Sequence, residues 1–458
     1  NQKNKTGRKP LQPCGHGERT IPASMAMTTA PHRSHPRRPK SVDRKRARPA
    51  ATTKGAPETK GNRPKRTLNG AEFLGKALEA HGVTHVFGIS GAKVDSVFKA
   101  LLDSPIQLVL CRHEQNAAFM AQAFGRLTGR IGVCLATSGP SVTNLVTSLA
   151  TATTEGDPVL AIGGEVPLDD RFKHTHQSLD AISLMQPVTR FAQSALCVHD
   201  LPEVLGNAIR AAEQGRPGAA FLGLPKDVGL ASIDADPTAG WGQPIQQGIC
   251  HPNGLKEACT ILSGLKRPLL LLGMQASDPH LGEVLQAYVR RSGLPYCTTF
   301  QGPGLWVAPE YYVGRVGLFR NQPADALLDA ADGVICIGFD PVEYDPSLWN
   351  SGQRRPIVAV DVQAADQERA FLPAVELIGD LAETLNAMSA WPTMAMANDL
   401  QQLQHTAAAE LEATTAEGRS MGGAAPVHPL RLVQEISAVT SADTTPPSAW
   451  MWGPTTSG

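Results

Sequence analysis

Short apolar segments alternate with amphipathic segments from residue 67 onward, and this alternation limits the possible folds more than any other feature of the sequence. The apolar segments, which are typical of buried strands, cover residues 83–89, 106–111, 132–136, 159–163, 191–198 and 219–224. Apolar residues at helical spacing between them predict helices over 92–102, 114–128, 142–154 and 201–213. Apolar strands joined by helices form parallel sheets that are covered on both faces. We therefore predict a doubly wound, mostly parallel α/β domain over residues 67–236.

A second alternating series predicts a Rossmann-like middle domain over residues 251–395. Its predicted strands cover residues 268–273, 295–299, 333–338 and 357–361, and its predicted helices cover 281–292 and 324–330. Asp361 closes the last of these strands, where a carboxylate can hold a ribose hydroxyl. Since no G-x-G-x-x-G sequence follows any of the strands, we expect this domain to be structural and to bind no FAD.

Two segments follow the middle domain. We assign residues 396–427 to a linker, and helical apolar spacing predicts a helix over 429–439. No further element is recognisable before residue 458. We therefore interpret 428–458 as the truncated start of another domain.

Positive charge is concentrated in residues 1–66. They hold 18 Lys and Arg against 3 Asp and Glu, whereas the remaining chain holds 24 basic and 39 acidic side chains. With so few aliphatic residues this segment cannot bury enough surface to fold, so we predict a disordered basic tail. A targeting peptide is the alternative, although the many prolines disfavour the amphipathic helix that it needs. The acidic remainder argues against a nucleic-acid-binding surface, which needs clustered Lys and Arg.

The cysteines and the hydropathy predict a cytoplasmic protein that does not cross a membrane. Eight cysteines are scattered without a C-x-x-C pair, and most lie in apolar segments typical of buried free thiols. Free thiols are typical of a reducing compartment. The chain has no apolar run of about eighteen residues, the length that a membrane-spanning helix needs.

Three motifs fall where successive strands of the first domain are predicted to end. They are Gly88-Ile-Ser-Gly91, Arg112-His-Glu-Gln-Asn116 and Thr137-Ser-Gly-Pro140. Parallel strands end at the same edge of a sheet, and ligands bind beyond that edge. We therefore expect the three motifs to line one site.

Each motif also has a purely structural explanation. Tight turns alone account for Gly88 and Gly91. Arg112 and His113 are of types that often cap helices or lie at the surface, and a helix dipole favours a carboxylate such as Glu114 in the first turn. The functional interpretation of Glu114 therefore depends on the residues that flank it.

With its motifs in this order, the sequence resembles the thiamine-diphosphate enzymes, and among them the catabolic, flavin-independent acetolactate synthases. The motifs that carry the resemblance are Val86-Phe-Gly-Ile-Ser-Gly-Ala-Lys93, Cys111-Arg-His-Glu-Gln-Asn-Ala-Ala-Phe-Met120, Gly125-Arg-Leu-Thr-Gly129, Ala136-Thr-Ser-Gly-Pro140, Glu155-Gly-Asp-Pro158, His176-Gln-Ser178, Gly314-Arg-Val-Gly-Leu-Phe319, Pro341-Val-Glu-Tyr344 and Leu348-Trp-Asn-Ser-Gly352. The resemblance extends from about residue 69 to about residue 445. It implies that residues 67–236 form the pyrimidine-type domain of such an enzyme.

The resemblance implies an enzyme that condenses two pyruvates to 2-acetolactate with loss of CO2, using thiamine diphosphate and Mg²⁺ but no FAD. In the family, a glutamate hydrogen-bonds to N1′ of the aminopyrimidine ring and so promotes loss of the C2 proton. Glu114 matches this glutamate, and an apolar pocket that raises its carboxyl pKa would suit the role. Gln177 matches a glutamine that reaches the substrate or the activated cofactor.

The resemblance also implies the surroundings of these two residues. His113 and His176 are expected near the substrate. The residues expected to contact the cofactor are Gly88, Gly91, Ser138, Gly139 and Pro140. A polar loop without a role is the alternative for His176 and Gln177.

The sequence departs from the family at two positions and lacks one group of motifs. Ser90 stands where the family usually has proline, and Ser141 stands where it usually has glycine. The family's pyrophosphate domain follows the middle domain and binds magnesium and diphosphate through a Gly-Asp-Gly sequence and a later Asn-Asn or Asp-Asn sequence. Neither occurs after residue 428, so the resemblance implies that 428–458 is the truncated start of that domain. We therefore expect no metal ligands in this chain, and we expect the chain alone to be inactive.

Three interpretations remain open at this stage. The first is an acetolactate synthase whose chain is incomplete, with a homo-oligomer formed through the pyrimidine-type domain. The second is a non-catalytic or regulatory homologue that keeps the fold. The third is another thiamine-diphosphate decarboxylase or carboligase.

Overall fold

The computed structural model describes residues 67–302, 305, 307–317, 319, 320, 322–352, 355–391, 396–422 and 427–440. The predicted tail, residues 1–66, lies outside the described residues. The described part is α/β and contains two six-stranded parallel sheets flanked by helices, as the alternating pattern predicts.

Six of the eight strands of the first domain agree with the predicted strands to within a few residues at each end, whereas the first and the last, of two residues each, are absent from the prediction. The eight strands are β1 (Leu68–Asn69), β2 (His85–Gly88), β3 (Gln107–Leu110), β4 (Gly132–Ala136), β5 (Val159–Glu165), β6 (Phe191–Ser194), β7 (Ala219–Pro225) and β8 (Ser232–Ile233). The parallel sheet has the order β3-β2-β4-β5-β7-β6, and β1 pairs antiparallel with β8 beside it.

Helices cover both faces of this sheet. Successive strand residues point to opposite faces, and both sets of side chains are apolar and need burial. In β4, Val133 and Leu135 pack into one hydrophobic cluster, whereas Cys134 and Ala136 pack into the cluster on the other face. The helices are α1 (Gly70–Ala80), α2 (Asp95–Leu102), α3 (Glu114–Thr128), α4 (Pro140–Thr143), α5 (Val146–Glu155), α6 (Ala181–Met185), α7 (Leu201–Glu213) and α8 (Lys226–Leu230).

The helix predicted over 142–154 is two helices, α4 and α5. The break lies at Asn144 and Leu145, where the amide of Leu145 donates to the carbonyl of Val142 at 3.0 Å, a tighter i→i+3 bond than an α-helix makes. Apolar periodicity does not reveal such a break, because the same face stays buried on both sides of it.

The middle domain contains a second parallel sheet. Its strands are β9 (Pro268–Leu272), β10 (Tyr296–Thr299), β11 (Tyr312–Val316), β12 (Gly333–Ile337), β13 (Ile357–Asp361) and β14 (Val375–Ile378). Their order is β11-β10-β9-β12-β13-β14. Leu270 and Leu272 pack on one face of the sheet, and Leu269 and Leu271 pack on the other.

The two edge strands, β11 and β14, are absent from the predicted strands. Both are only partly buried, and each carries a charged residue, Arg315 in β11 and Glu376 in β14. An edge strand is covered less than a central one, so its sequence does not read as a continuous apolar run.

The remaining helices flank this sheet and extend beyond it. They are α9 (Pro252–Ser263), α10 (Gly282–Ser292), α11 (Pro323–Ala330), α12 (Pro346–Trp349), α13 (Leu381–Met388), α14 (Asn398–Ser420) and α15 (Pro429–Thr440). α14 lies in the segment assigned to a linker, and it packs on α11 and β11 with Leu400 and Ala407 buried. α15 lies where a helix was predicted, and it packs against α14.

The described cysteines are all free, and four of them are buried: Cys134, Cys250, Cys297 and Cys336. None of the helices in the described residues combines the length and apolar character that crossing a bilayer requires.

Candidate active site

The three strand-end motifs lie at neighbouring positions on the carboxyl edge of the first sheet. They follow β2, β3 and β4, which are adjacent in the order β3-β2-β4. β3 lies on one side of β2 and β4 lies on the other, so the order in which the chain adds strands to the sheet reverses at β2. Such a reversal is where open α/β sheets form a ligand crevice.

Glu114 is the first residue of α3, immediately beyond the end of β3. His113 caps this helix, because its Nδ1 accepts a hydrogen bond from the amide of Gln115 at 3.1 Å. The carboxylate therefore lies in the first turn, where the helix dipole favours negative charge. Glu114 is half-buried and His113 is exposed.

The Glu114 carboxylate accepts two hydrogen bonds from the segment that follows β4. The Ser141 hydroxyl donates to Oε1 at 2.6 Å, and Nδ2 of Asn144 donates to Oε2 at 2.9 Å. Ser141 is the position at which the sequence departs from the family's glycine. The serine at this position thus places a hydroxyl in contact with the carboxyl group of Glu114, the residue expected to act on the cofactor.

The pKa of Glu114 lies below its ordinary value, which corrects the expectation of a raised pKa. Burial acts to raise the pKa, but the hydrogen bonds from Ser141 and Asn144 stabilise the ionised form and outweigh burial. The start of α3 and the neighbouring His113 add to the lowering. The described hydrogen-bond partners of Glu114 are polar, and they lower its pKa although an apolar pocket that raises it would suit the assigned role.

The turn after β4 depends on Gly139. This residue has φ 65° and ψ −122°, and Pro140 follows it at the first position of α4. A Cβ at Gly139 would lie 2.9 Å from Cβ of Gln177. Glycine is therefore needed here both for the backbone conformation and for the close approach of the loop that carries Gln177.

Gln177 is half-buried and is held in an unusual conformation. Its φ of 64° makes it the one non-glycine residue with positive φ in the described part of the chain. Its Oε1 accepts a hydrogen bond from the Ser138 hydroxyl at 3.2 Å. Strained backbone of this kind persists only where the surroundings enforce it, and it is concentrated at functional sites.

The segment from Ser138 to Asn144 therefore joins the two residues that were expected to be catalytic. Ser138 and Gly139 contact Gln177, whereas Ser141 and Asn144 contact Glu114. His176 is exposed next to Gln177. The structure thus brings together the motif after β4, the start of α3 and the long loop after β5.

Gly88 and Gly91 have packing reasons to be glycine. A Cβ at Gly88 would lie 2.4 Å from the carbonyl oxygen of Leu135, and a Cβ at Gly91 would lie 2.5 Å from Cβ of Thr137. These contacts hold the end of β2 against the end of β4. They explain the two glycines without a ligand, so cofactor contact at Gly88 and Gly91 stays a prediction.

Asn144 is the site residue that the sequence analysis missed. It follows Ser141 by three residues, and residues at this spacing share one face of a helix. A hydroxyl and an amide at this spacing, shortly after Gly139, indicate that the two side chains can contact the same group.

The arrangement can accommodate the aminopyrimidine ring of the cofactor that the resemblance implies. Each oxygen of the Glu114 carboxylate takes one hydrogen bond from the chain and has a further lone pair for another partner. Glu114 is half-buried, so a ring nitrogen can reach it. The described residues contain no cluster of three or more His, Cys, Asp or Glu side chains that could hold a metal ion.

Comparisons with known proteins identify the family of the chain. Residues 68–184 match the thiamine pyrophosphate enzyme N-terminal TPP binding domain, and residues 255–388 match the central domain of the same enzymes. The chain is 41% identical over 391 residues to acetolactate synthase of Bacillus subtilis (strain 168), which covers 82% of this chain and 67% of the relative.

A second relative is the catabolic acetolactate synthase of Raoultella terrigena, 40% identical over 393 residues, which cover 82% of this chain and 68% of the relative. The large subunit of acetolactate synthase isozyme 2 from Escherichia coli (strain K12) is 31% identical over 325 residues, 70% of this chain and 59% of that subunit. With this identity over about two thirds of the first two relatives, the chain belongs to the acetolactate synthase family of thiamine pyrophosphate enzymes.

Proposed function

We propose that this chain takes part in the condensation of two pyruvates to 2-acetolactate, with release of CO2 and uptake of one proton. The observation that carries the proposal is the Ser138–Asn144 segment, which contacts Gln177 on one side and the Glu114 carboxylate on the other. The relatives named as acetolactate synthases support the choice of reaction.

Thiamine diphosphate, held through Mg²⁺ when bound, would supply the nucleophilic carbon and the electron sink for decarboxylation. Glu114 would hold and share a proton at N1′ of the aminopyrimidine ring. Ser138, Gly139 and Pro140 would approach the ring through their backbone, since a glycine at the turn leaves room for close contact.

Gln177 would orient the substrate at the same rim. Its amide is half-buried, and its backbone is fixed by the contact with Gly139, so its side chain projects from a rigid position. The exposed side chains of His113 and His176 would contribute donors for the carboxylate of pyruvate.

We also propose a flavin-free middle domain. Arg216 of the first domain forms an ion pair with Asp340, just beyond the end of β12, and donates to the carbonyl of Thr154 at 2.7 Å. Asp361 accepts a hydrogen bond at 2.7 Å from the amide of Val362, the next residue in the chain. These contacts tie the end of the second sheet to the first domain, and together with the lack of a G-x-G-x-x-G sequence after its predicted strands they support a structural role.

The proposed assembly is a cytoplasmic homo-oligomer that forms through the pyrimidine-type domain and binds no nucleic acid. Leu110 in the edge strand β3 is 68% exposed, and Phe119 and Met120 on α3 are about 40% exposed. Large apolar side chains on neighbouring elements favour burial against a second copy.

A chimera tests the reaction. Residues 67–440 would be joined to the part of the Bacillus subtilis relative that this chain does not match, and acetolactate and CO2 would be measured with pyruvate, thiamine diphosphate and Mg²⁺. We expect both products, and we expect Glu114→Gln to lower turnover by about two orders of magnitude or more. Gln177→Ala should lower turnover with less effect on cofactor affinity.

The remaining outcomes distinguish the alternatives. Release of CO2 without acetolactate would indicate another thiamine-diphosphate decarboxylase. A folded chimera that binds the cofactor but releases no CO2 would indicate a non-catalytic homologue and would overturn the proposal.

A further inference from the structure

The Ser141 hydroxyl lies 2.6 Å from Oε1 of Glu114 and is buried, with Ser141 only 4% exposed. We propose that Ser141 is a positioning residue that holds the Glu114 carboxyl group ionised and in one orientation, and so limits how readily Glu114 shares a proton with the cofactor ring. The inference deepens the proposed function, and its consequence for catalysis rests on that function.

The geometry favours the ionised form because donors face both oxygens. A carboxylate only accepts hydrogen bonds, so the Ser141 hydroxyl and Nδ2 of Asn144 can both donate to it. A protonated carboxyl group would carry its proton on one of the remaining lone pairs and would accept weaker hydrogen bonds from Ser141 and Asn144 than the carboxylate does. The two donors therefore stabilise the ionised form more than the protonated form.

The distance is typical of a hydrogen bond between a hydroxyl and a charged carboxylate. The pKa of Glu114 is lowered although burial acts to raise it, and the bond from Ser141 is the largest of the opposing effects. His113, the neighbour of Glu114 at the start of α3, adds a smaller effect that also lowers the Glu114 pKa. The facing segment contributes only the neutral Ser141 and Asn144.

A purely structural role for Ser141 is the competing explanation. A buried hydroxyl needs a partner, and Glu114 would then serve Ser141 instead of the reverse. A purely structural role predicts that removing the hydroxyl lowers stability. It does not require the Glu114 pKa to rise. The pKa of Glu114 itself therefore separates the two explanations, and it can be measured without cofactor.

The test uses the full 458-residue chain without cofactor, labelled with glutamate carrying carboxyl ¹³C. The Glu114 signal is assigned by its absence in Glu114→Gln and is followed while the pH is lowered from 7 to the acid limit of folding. We expect a higher Glu114 pKa in Ser141→Ala than in the wild type. The matched control is Thr143→Ala, because the Thr143 hydroxyl lies in the same helix but donates to the carbonyl of Pro140 at 2.8 Å.

An unchanged Glu114 pKa in Ser141→Ala, or an equal rise in Thr143→Ala, would overturn the inference. If Ser141→Ala does not fold, Ser141→Gly provides the same measurement, since it also removes the hydroxyl. In the chimera, the variant that raises the pKa should also move the acid limb of the kcat profile to higher pH. Failure of the chimera to make acetolactate would count against the proposed function alone, since the carboxyl titration does not depend on it.

Discussion

Gly139 and Gln177 approach so closely that a Cβ on the glycine would lie 2.9 Å from Cβ of the glutamine. Both residues have positive φ, 65° for Gly139 and 64° for Gln177. Two unusual backbone conformations are thus in contact at the candidate site. Each fixes the position of the other, which is why a loop far along the chain from β4 can be held rigidly over the end of that strand.

Gly139→Ala should destabilise the chain by about 2–4 kcal/mol, because it adds a strained φ to a collision with Gln177. The matched control is Gly82→Ala, since Gly82 has φ 87° but no atom within 4 Å of an added Cβ. That variant should lose only about 1–2 kcal/mol from the backbone strain. Urea unfolding measures both losses, and equal losses would show that the contact with Gln177 is unimportant.

Glu114→Gln should change the pH dependence of stability. Because the folded-state pKa of Glu114 is lowered below its ordinary value of 4.5, the carboxylate stabilises the folded state fully above pH 4.5, and this contribution is lost as the pH falls through the lowered pKa. The wild type should therefore exceed the variant in Tm near neutral pH, with the gap narrowing in acid.

The same substitution at the exposed Glu203 of α7 is the control for Glu114→Gln. Near neutral pH its Tm should differ less from that of the wild type, because Glu203 shares the first-turn position of Glu114 but is exposed. If the difference in Tm between the wild type and Glu114→Gln stays constant with pH, the pKa of Glu114 is not lowered in the folded state.

Arg126→Met should destabilise the chain by about 3–5 kcal/mol, because it leaves a buried carboxylate without its cation. The guanidinium contacts Glu155 and also Asp157, whose side chain is only 3% exposed. Burial raises the pKa of Asp157 and the Arg126 hydrogen bond opposes that rise.

The control for Arg126→Met is Arg290→Met. Arg290 pairs with Glu310 at 2.9 Å, and both side chains are about half exposed, so that the pair contributes little in water. Denaturation of the two variants in parallel tests the difference, and comparable losses would contradict the assignment of Asp157 as a buried partner.

The wild type should become less stable as the pH rises, and Glu343→Gln should make stability depend less on pH. Glu343 is buried beneath the end of the second sheet, where it accepts hydrogen bonds from the Thr299 hydroxyl at 2.5 Å and the Met274 amide at 2.9 Å. Burial raises its pKa from 4.5 to about 7. Its contribution is therefore fully present below pH 4.5 and is lost as the pH rises to about 7.

Thermal unfolding between pH 4.5 and 8 checks this slope. The variant places an amide nitrogen where one carboxyl oxygen of Glu343 accepts from the Asp340 amide at 3.0 Å, so it loses that bond and will be less stable in acid. Its Tm should nevertheless fall less than that of the wild type as the pH rises. Parallel curves for the two proteins would show that the pKa of Glu343 is not raised in the folded state.

Features that depend on local periodicity and local motifs could be predicted from the amino-acid sequence. Apolar runs such as 132–136 and 268–273 identify the central strands of both sheets, since a strand buried on both faces must be apolar throughout. The resemblance carried by the motifs around Glu114 and Ser138 identified the family. The strand ends also placed these motifs at one rim, because parallel strands that are connected by helices share the direction in which they end.

Tertiary structure decided which side chains meet and which elements lie at the margins. The edge strands β11 and β14 and the packing of α14 depend on partial burial, which leaves only a weak pattern in the sequence. The contact of Ser141 with Glu114 joins residues from separate strand ends, and the φ of Gln177 is enforced by Gly139. The lowered pKa of Glu114 follows from these long-range contacts, because hydrogen-bond donors that the fold brings to the carboxylate outweigh the effect of burial.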